Sequence, residues 1–351
     1  MARITSKDVA KIAGVSRTTV SLVLNGVRGA RISEATRDRV VAVARELGYA
    51  PNVLAQSLKT KRSRIIGLIV PSITNPFFPA IAQGVEDMAV ERGYNVFFCN
   101  SYRDPGKEQE YVLALCQKQV EGVIFASVQH GAELAGELRQ RGVAVVLFDR
   151  RAEIEVDTVS MDNVAGAALA TKHLLAHGRR RIAFLSGPLR IRSRMERWEG
   201  YRQQIEGEGL RIAPELVREG RSEHEEQGGV YELELGYSLT RELIAAGTDF
   251  DGIFAVNDMT AIGALRALRE YRRAVPGDVA VVGFDNLALS TQVEPPLTTI
   301  SQPQYEMGTA AAGLLFDRLD DPGRPARQKV FQPELVVRGS SCSVAAREAV
   351  C

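Results

Sequence analysis

The chain has 351 residues, 45% hydrophobic and 25% charged: too long for one ordinary domain, and balanced as folded globular domains are. No run of about 18 apolar residues is present to cross a bilayer, and the polar start Met1-Ala2-Arg3-Ile4-Thr5 lacks a secretory leader pattern. The four scattered cysteines have no metal-ligand spacing and read as reduced thiols, so a cytoplasmic location is expected. The net charge of +1 conceals an asymmetry: residues 1–64 carry 13 Lys and Arg against four acids, +9, and the remainder is −8. A basic head on an acidic body points to a polyanionic partner. The competing reading is a solvated basic surface.

In chain order, Thr5 caps a first short helix, with Asp8 at the capping-box position and Val9, Ile12 and Ala13 on one face. Gly14 supplies a tight turn. Ser16 caps a second helix that turns Val20, Val23 and Leu24 inward, and Asn25-Gly26 ends it. Ser33 caps a third, with Val40, Val43, Ala44 and Leu47 inside and Gly48 at its end. Two short helices across a glycine turn, with a third in support, is the helix-turn-helix plan. Its second helix enters the major groove. Arg17, Thr18, Ser21 and Leu22 then point outward: Arg17 matches the paired acceptors of guanine, Thr18 offers a hydroxyl, and Leu22 suits a thymine methyl. Thr5, Ser16 and Asn25 are placed to hold phosphates. A three-helix protein-interaction module is the alternative, which the charge excess disfavours.

Pro51 and Asn52 start one more helix, too short to persist alone. Its apolar side would pair with the same segment of a second chain, setting Leu58 as a minor-groove wedge; an ordinary linker helix is the other reading.

From Ile65 onward apolar runs alternate with amphipathic ones. Strands are expected at 65–70, 95–100, 122–125, 144–148, 181–185, 252–255 and 279–284. Helices are expected at 78–92, 107–118, 164–177, 195–208, 228–246 and 258–271. Such alternation means parallel sheets covered on both faces, and about 280 residues of it suit two sheets. Open α/β sheets bind ligands beyond the strand C-termini. There lie Ser72 to Pro79 with Phe77 and Phe78, then Asp149 and Arg150, an Arg-rich loop reaching Arg197, Trp198 and Tyr201, then Asn257-Asp258 and Asp285-Asn286. Aromatic faces with Asp, Asn and Arg suit a polyhydroxylated ligand. Each has a plainer reading: Asn257, Asp258 and Asp285 as helix caps, Phe77 and Phe78 as core, Arg150 as a structural ion pair. No phosphate-loop, dinucleotide fingerprint or nucleophile elbow occurs. His173 and His177 share a helix face but lack a zinc-protease motif. No enzyme, cofactor or metal is therefore expected.

Val9-Ala10-Lys11-Ile12-Ala13-Gly14-Val15-Ser16-Arg17-Thr18-Thr19-Val20-Ser21 through Leu24-Asn25-Gly26 resembles the headpiece of the lactose/galactose repressor family, as do Glu46 to Asn52 and Ser57-Leu58. The resemblance continues through Ile66 to Pro71, Thr74 to Phe78, Val159 to Asn163, Ala255 to Asp258, Val282 to Asn286, Pro296 to Ile300 and Pro333 to Ser340. It implies an all-α helix-turn-helix headpiece (1–50), a hinge helix and linker (51–62), and a periplasmic-binding-protein-like α/β core of two parallel-sheet lobes (63–343) with a tail (344–351). Lobe one would take about 63–161 and 292–328, lobe two about 162–291 and 329–343, with three crossovers.

The resemblance also implies a homodimer on near-palindromic operator DNA, with Arg31, Tyr49, Asn52, Ala55 and Lys59 joining the DNA contacts beside Leu58. It places Phe77, Phe78, Arg150, Ser193, Arg197, Asn257 and Asp285 around an effector between the lobes. A sugar is the expected effector; a purine stacked on Phe77 or Phe78, or a phosphorylated sugar drawn to Arg190, Arg192 and Arg194, are the rivals. Departures from the family pattern are Leu22 in place of a polar reader, a longer turn at 27–31, Gln56 in place of a hinge Arg, and a long stretch at 221–237. A solute-binding protein would need a leader and no basic head.

Overall fold

Side-chain caps and glycine turns set where the head's short helices begin and end, and a shared apolar core holds them together. The structure, a computed structural model, describes residues 4–24, 32–49, 62–125, 131–148, 155–221 and 231–342. The expected DNA contacts Asn25, Arg31, Asn52, Ala55, Leu58 and Lys59, the effector residue Arg150, hinge residues 51–61, residues 222–230 and the tail lie outside the described residues. The chain divides into two units, Met1–Arg64 and Ile65–Cys351.

Within the head, α1 (Ser6–Ala13) opens on Thr5, whose N–H and hydroxyl both donate to the Asp8 carboxylate, at 2.9 and 2.7 Å. Gly14 ends it in the left-handed region at φ 66°, where a Cβ is disfavoured. Helix α2 (Arg17–Leu24) is capped by Ser16, which accepts from the Thr19 N–H at 3.0 Å. Helix α3 (Glu34–Glu46) is capped by Ser33. Val9, Ala13, Val20, Val23, Val40 and Ala44 make the buried core. Ile12 does not join it: it is 58% exposed, because Ala10 takes the inward place beside Val9.

The second unit holds two six-stranded sheets. The first runs β11-β5-β4-β3-β1-β2, all parallel, from β1 (Ile65–Val70), β2 (Asn95–Asn100), β3 (Gly122–Phe125), β4 (Ala144–Phe148), β5 (Asp157–Met161) and β11 (Gln328–Phe331). The second runs β12-β10-β9-β8-β6-β7, from β6 (Ile182–Ser186), β7 (Val217–Glu219), β8 (Gly252–Ala255), β9 (Ala280–Asp285), β10 (Thr298–Ser301) and β12 (Glu334–Val336). Only β12 is antiparallel to its neighbour. Helices α4 (Phe77–Glu91), α5 (Pro105–Gln117), α6 (Gly131–Gln140) and α11 (Gln304–Asp320) serve lobe one. Helices α7 (Asn163–Ala176), α8 (Arg192–Gly207), α9 (Tyr231–Ala245) and α10 (Asp258–Glu270) serve lobe two. Apolar clusters lie on both faces of each sheet, which is why the strands read as unbroken apolar runs.

The chain crosses between lobes three times: after β5, after β10 and after β11. This corrects the expected boundaries at 292 and 329. Thr298–Ser301 pairs in register with Val282–Asp285, so lobe two runs on to Ser301; Gln328–Phe331 pairs with Thr158–Met161, so lobe one runs on to Phe331.

One packing contact matters for the site. A Cβ on Gly236 would stand 1.9 Å from the Thr260 carbonyl oxygen, and one on Gly263 2.0 Å from that of Leu233. These two glycines let α9 and α10 touch backbone to backbone. Gly236→Ala is expected to destabilise the protein by about 1–3 kcal/mol through overpacking, measurable as a lower urea midpoint at unchanged slope; an unchanged midpoint would show that the helices part freely.

Candidate functional site

On the head, α2 carries Arg17, Thr18 and Ser21 exposed and Leu22 half-buried, all off the face that packs Val20 and Val23. Ser16 and Thr5 are exposed at the starts of α2 and α1 while capping them. Tyr49 packs half-buried against the head core, its N–H donating to Ala44 O at 2.8 Å.

In the core unit, the strand C-termini of both lobes face one cavity of about 90 Å³. At roughly 10–15 Å³ per ordered water, that is room on the order of six to nine waters. Six of the seven expected effector residues line it: Phe77, Phe78, Ser193, Arg197, Asn257 and Asp285. Phe77 is both wall and core, set edge-on to Phe78 with ring centroids 5.2 Å apart. Asn257 keeps its capping role, accepting from the Thr260 N–H at 2.9 Å.

Arg197 holds the lobe-two side. Its Nε donates to Asn163 Oδ1 at 3.0 Å and its Nη1 to Val256 O at 2.6 Å; Nη1 lies 3.8 Å from Asp285 Oδ1. The guanidinium stacks 3.7 Å over the Phe284 ring. Asp285 ends β9 at φ 129°, in the left-handed half of the map, and Gln302 donates to its Oδ1 at 2.6 Å. A strained residue at a cleft is held by such surroundings.

Two charged cavity residues, Arg103 and Glu232, escape a sequence reading; Asn75, from the Ser72–Pro79 stretch, and Arg194, from the Arg-rich loop, line the cavity as that reading allowed. Glu232 is fixed by Arg103, an ion pair with both side chains buried, and by Asn75 Nδ2 at 3.3 Å. Burial alone would push its carboxyl up, but the charges of Arg103 and Arg194 and the Asn75 bond hold it below the usual carboxylate range. Arg194 packs against Gly187, where a Cβ would meet its guanidinium at 2.4 Å.

Two expectations shift. Trp198 and Tyr201, read as part of the ligand-facing loop, instead pack on Phe184 in the core, and the Tyr201 hydroxyl donates to Ile182 O at 2.7 Å. Asp258 is fully buried behind the cavity, where it accepts from the Leu287 N–H at 2.8 Å and from Thr299 Oγ1 at 2.5 Å.

A helix-turn-helix head joined to two lobes that clasp a small cavity defines a DNA-binding transcriptional regulator with a sensing core. Residues 5–52 match the model for bacterial regulatory proteins of the lacI family, and residues 171–341 match that of a periplasmic binding protein-like domain. The ribose operon repressor of Halalkalibacterium halodurans is 35% identical over 334 residues, covering 95% of this chain and 96% of that one. Among solved structures, a complex of the transcriptional regulator CelR with cellobiose is 33% identical, covering 96% and 100% of the two chains, with a TM-score of 0.72. The lac repressor dimer bound to operator and the anti-inducer ONPF is 26% identical, covering 97% and 100%, with a TM-score of 0.84. The chain belongs to the lacI family. Among the described residues, no helix is long and apolar enough to cross a membrane.

Proposed function

We propose that this regulator is a cytoplasmic homodimeric repressor of genes for sugar metabolism, that it binds a near-palindromic operator, and that a small neutral sugar between the lobes sets its operator affinity. The carrying observation is the cavity itself. The aromatic rings of Phe77 and Phe78 share its wall with hydrogen-bonding groups at Arg197, Asn257 and Asp285. Ring faces of a sugar take the aromatics and its hydroxyls the polar groups. Arg17, Thr18, Ser21 and Leu22 read base edges in this account, and Thr5, Ser16, Asn25, Arg31, Tyr49, Asn52, Ala55 and Lys59 position the backbone around the Leu58 wedge. The relatives' names, a ribose operon repressor and a cellobiose complex, support the choice of ligand class. The chain carries no catalytic role in this reading.

The test is fluorescence anisotropy on an operator recovered by genomic selection, titrated with neutral mono- and disaccharides. One sugar is expected to change operator affinity. In calorimetry, Asp285→Ala is expected to weaken that sugar by tenfold or more, about 1.4 kcal/mol, while operator binding without sugar survives. Arg17→Ala is expected to do the reverse, costing about 1–3 kcal/mol on the operator with sugar affinity kept. Unchanged sugar affinity in Asp285→Ala would take that residue, and the neutral-polyol argument, out of the site.

A further inference from the structure

Arg103 follows β2 in lobe one, and Glu232 stands in the first turn of α9 in lobe two, so their ion pair crosses the cleft. The two side chains are only 8% and 3% exposed. Asn75, also in lobe one, donates a second bond to the same carboxylate oxygen at 3.3 Å. The backbone is bent to make this reach: Tyr102 and Arg103 both lie in the left-handed region, at φ 55° and 60°. Such strain persists where the surroundings over-determine it. On the other side, the close contact of α9 with α10 at Gly236 and Gly263 carries Glu232 on a rigid element.

An ion pair across a cleft need not favour closure, because opening lets both charges regain water. Here the balance is set by the groups around Glu232. Two of them cross the cleft, the Arg103 guanidinium and the Asn75 amide, and both bind one oxygen of Glu232; with Arg194 and the backbone of its own helix they hold the buried carboxyl below its ordinary range.

We infer that Arg103 and Glu232 form a latch that holds the two lobes closed over the cavity without a ligand. The latch sets how much of lobe closure an effector has to drive, since a ligand shifts only an equilibrium between states it binds differently. It rests on the geometry of the chain and not on which effector is bound.

Hydrogen exchange of the full-length protein, read by mass spectrometry with no ligand added, tests it. Segments 71–78 and 99–104 report on the cleft; the core strands Ile65–Val70 and Ile182–Ser186 are the internal reference. Glu232→Gln and Arg103→Met are each expected to speed exchange in the cleft segments by about tenfold or more, with the reference strands unchanged. The double variant is expected to be no faster than the faster single, because the second partner then has nothing to hold. If Glu232→Gln does not fold, Arg103→Lys is expected to give a smaller acceleration confined to the same segments. Unchanged cleft exchange in folded variants overturns the latch. So does a double variant showing the product of the single effects, or equal acceleration in the reference strands, which would mean the pair merely supports the fold.

Discussion

Arg197→Met is expected to weaken effector binding by a hundredfold or more and to destabilise the core by about 3–5 kcal/mol. Methionine keeps the apolar stem over Phe284 and removes the guanidinium, so the change isolates the polar role of the side chain. Two buried acceptors, Asn163 Oδ1 and Val256 O, then lose a donor, and the buried Asp285 carboxylate loses its cation 3.8 Å away. A stranded neutral acceptor costs about 1–3 kcal/mol, and a buried charge left without its partner costs more. Asp285 retains the Gln302 bond, which limits the loss without neutralising the charge. Combining Arg197→Met with Asp285→Asn removes that charge and is expected to recover much of the stability but none of the effector affinity. Urea denaturation and calorimetry separate the two effects. A folded Arg197→Met protein with unaltered affinity for the sugar would remove Arg197 from recognition.

The fold was legible where burial is periodic or continuous. Five of the core strands read from apolar runs, such as Ile65–Val70 and Gly252–Ala255, have the expected bounds, and the three head helices follow their caps. The strands that escaped are short or polar. Thr298–Ser301 is buried through its pairing rather than by its own composition, and Glu334–Val336 is a three-residue, half-exposed edge strand. Helices 131–140 and 304–320 were missed too, the second being rich in alanine and polar residues.

The site divides the same way. Residues that directly follow apolar strands, such as Asn257 and Asp285, announce themselves by position. Glu232 does not: in sequence it stands in the acidic 221–237 stretch that departs from the family pattern, with nothing to set it apart from Glu234. Its partner Arg103 lies 129 residues away. Only the packing of one lobe against the other brings them together, and no local pattern encodes that.

The last prediction concerns pH. Burial pushes the Asp258 carboxyl up to about 6, against an ordinary value of 3.8. Burial first, and the neighbouring His177 second, push His173 down to about 4 from 6.5. The two groups sit on either side of one strand: Thr299 bonds Asp258, while Thr298 reaches His173 through the Ser341 hydroxyl. Their linkages have opposite signs. Folded Asp258 holds its proton more tightly than the unfolded chain does, so its contribution to stability is present below about 3.8 and lost as pH rises to 6. Folded His173 holds its proton less tightly, so its contribution is present above about 6.5 and lost as pH falls to 4. Each spans on the order of 3 kcal/mol at 1.36 kcal/mol per unit, and between pH 4 and 6 they nearly cancel. Asp258→Asn is therefore expected to expose the histidine slope, with stability falling on acidification from pH 6.5 to 4. His173→Gln is expected to expose the opposite slope, with stability rising as pH falls from 6 to 4. Urea denaturation at fixed protein concentration across pH 4–7, taken as the difference from wild type, reads both. A flat difference for Asp258→Asn would mean that this carboxyl titrates alike in the folded and unfolded chains, and that its bonds to Leu287 and Thr299 fully offset its burial.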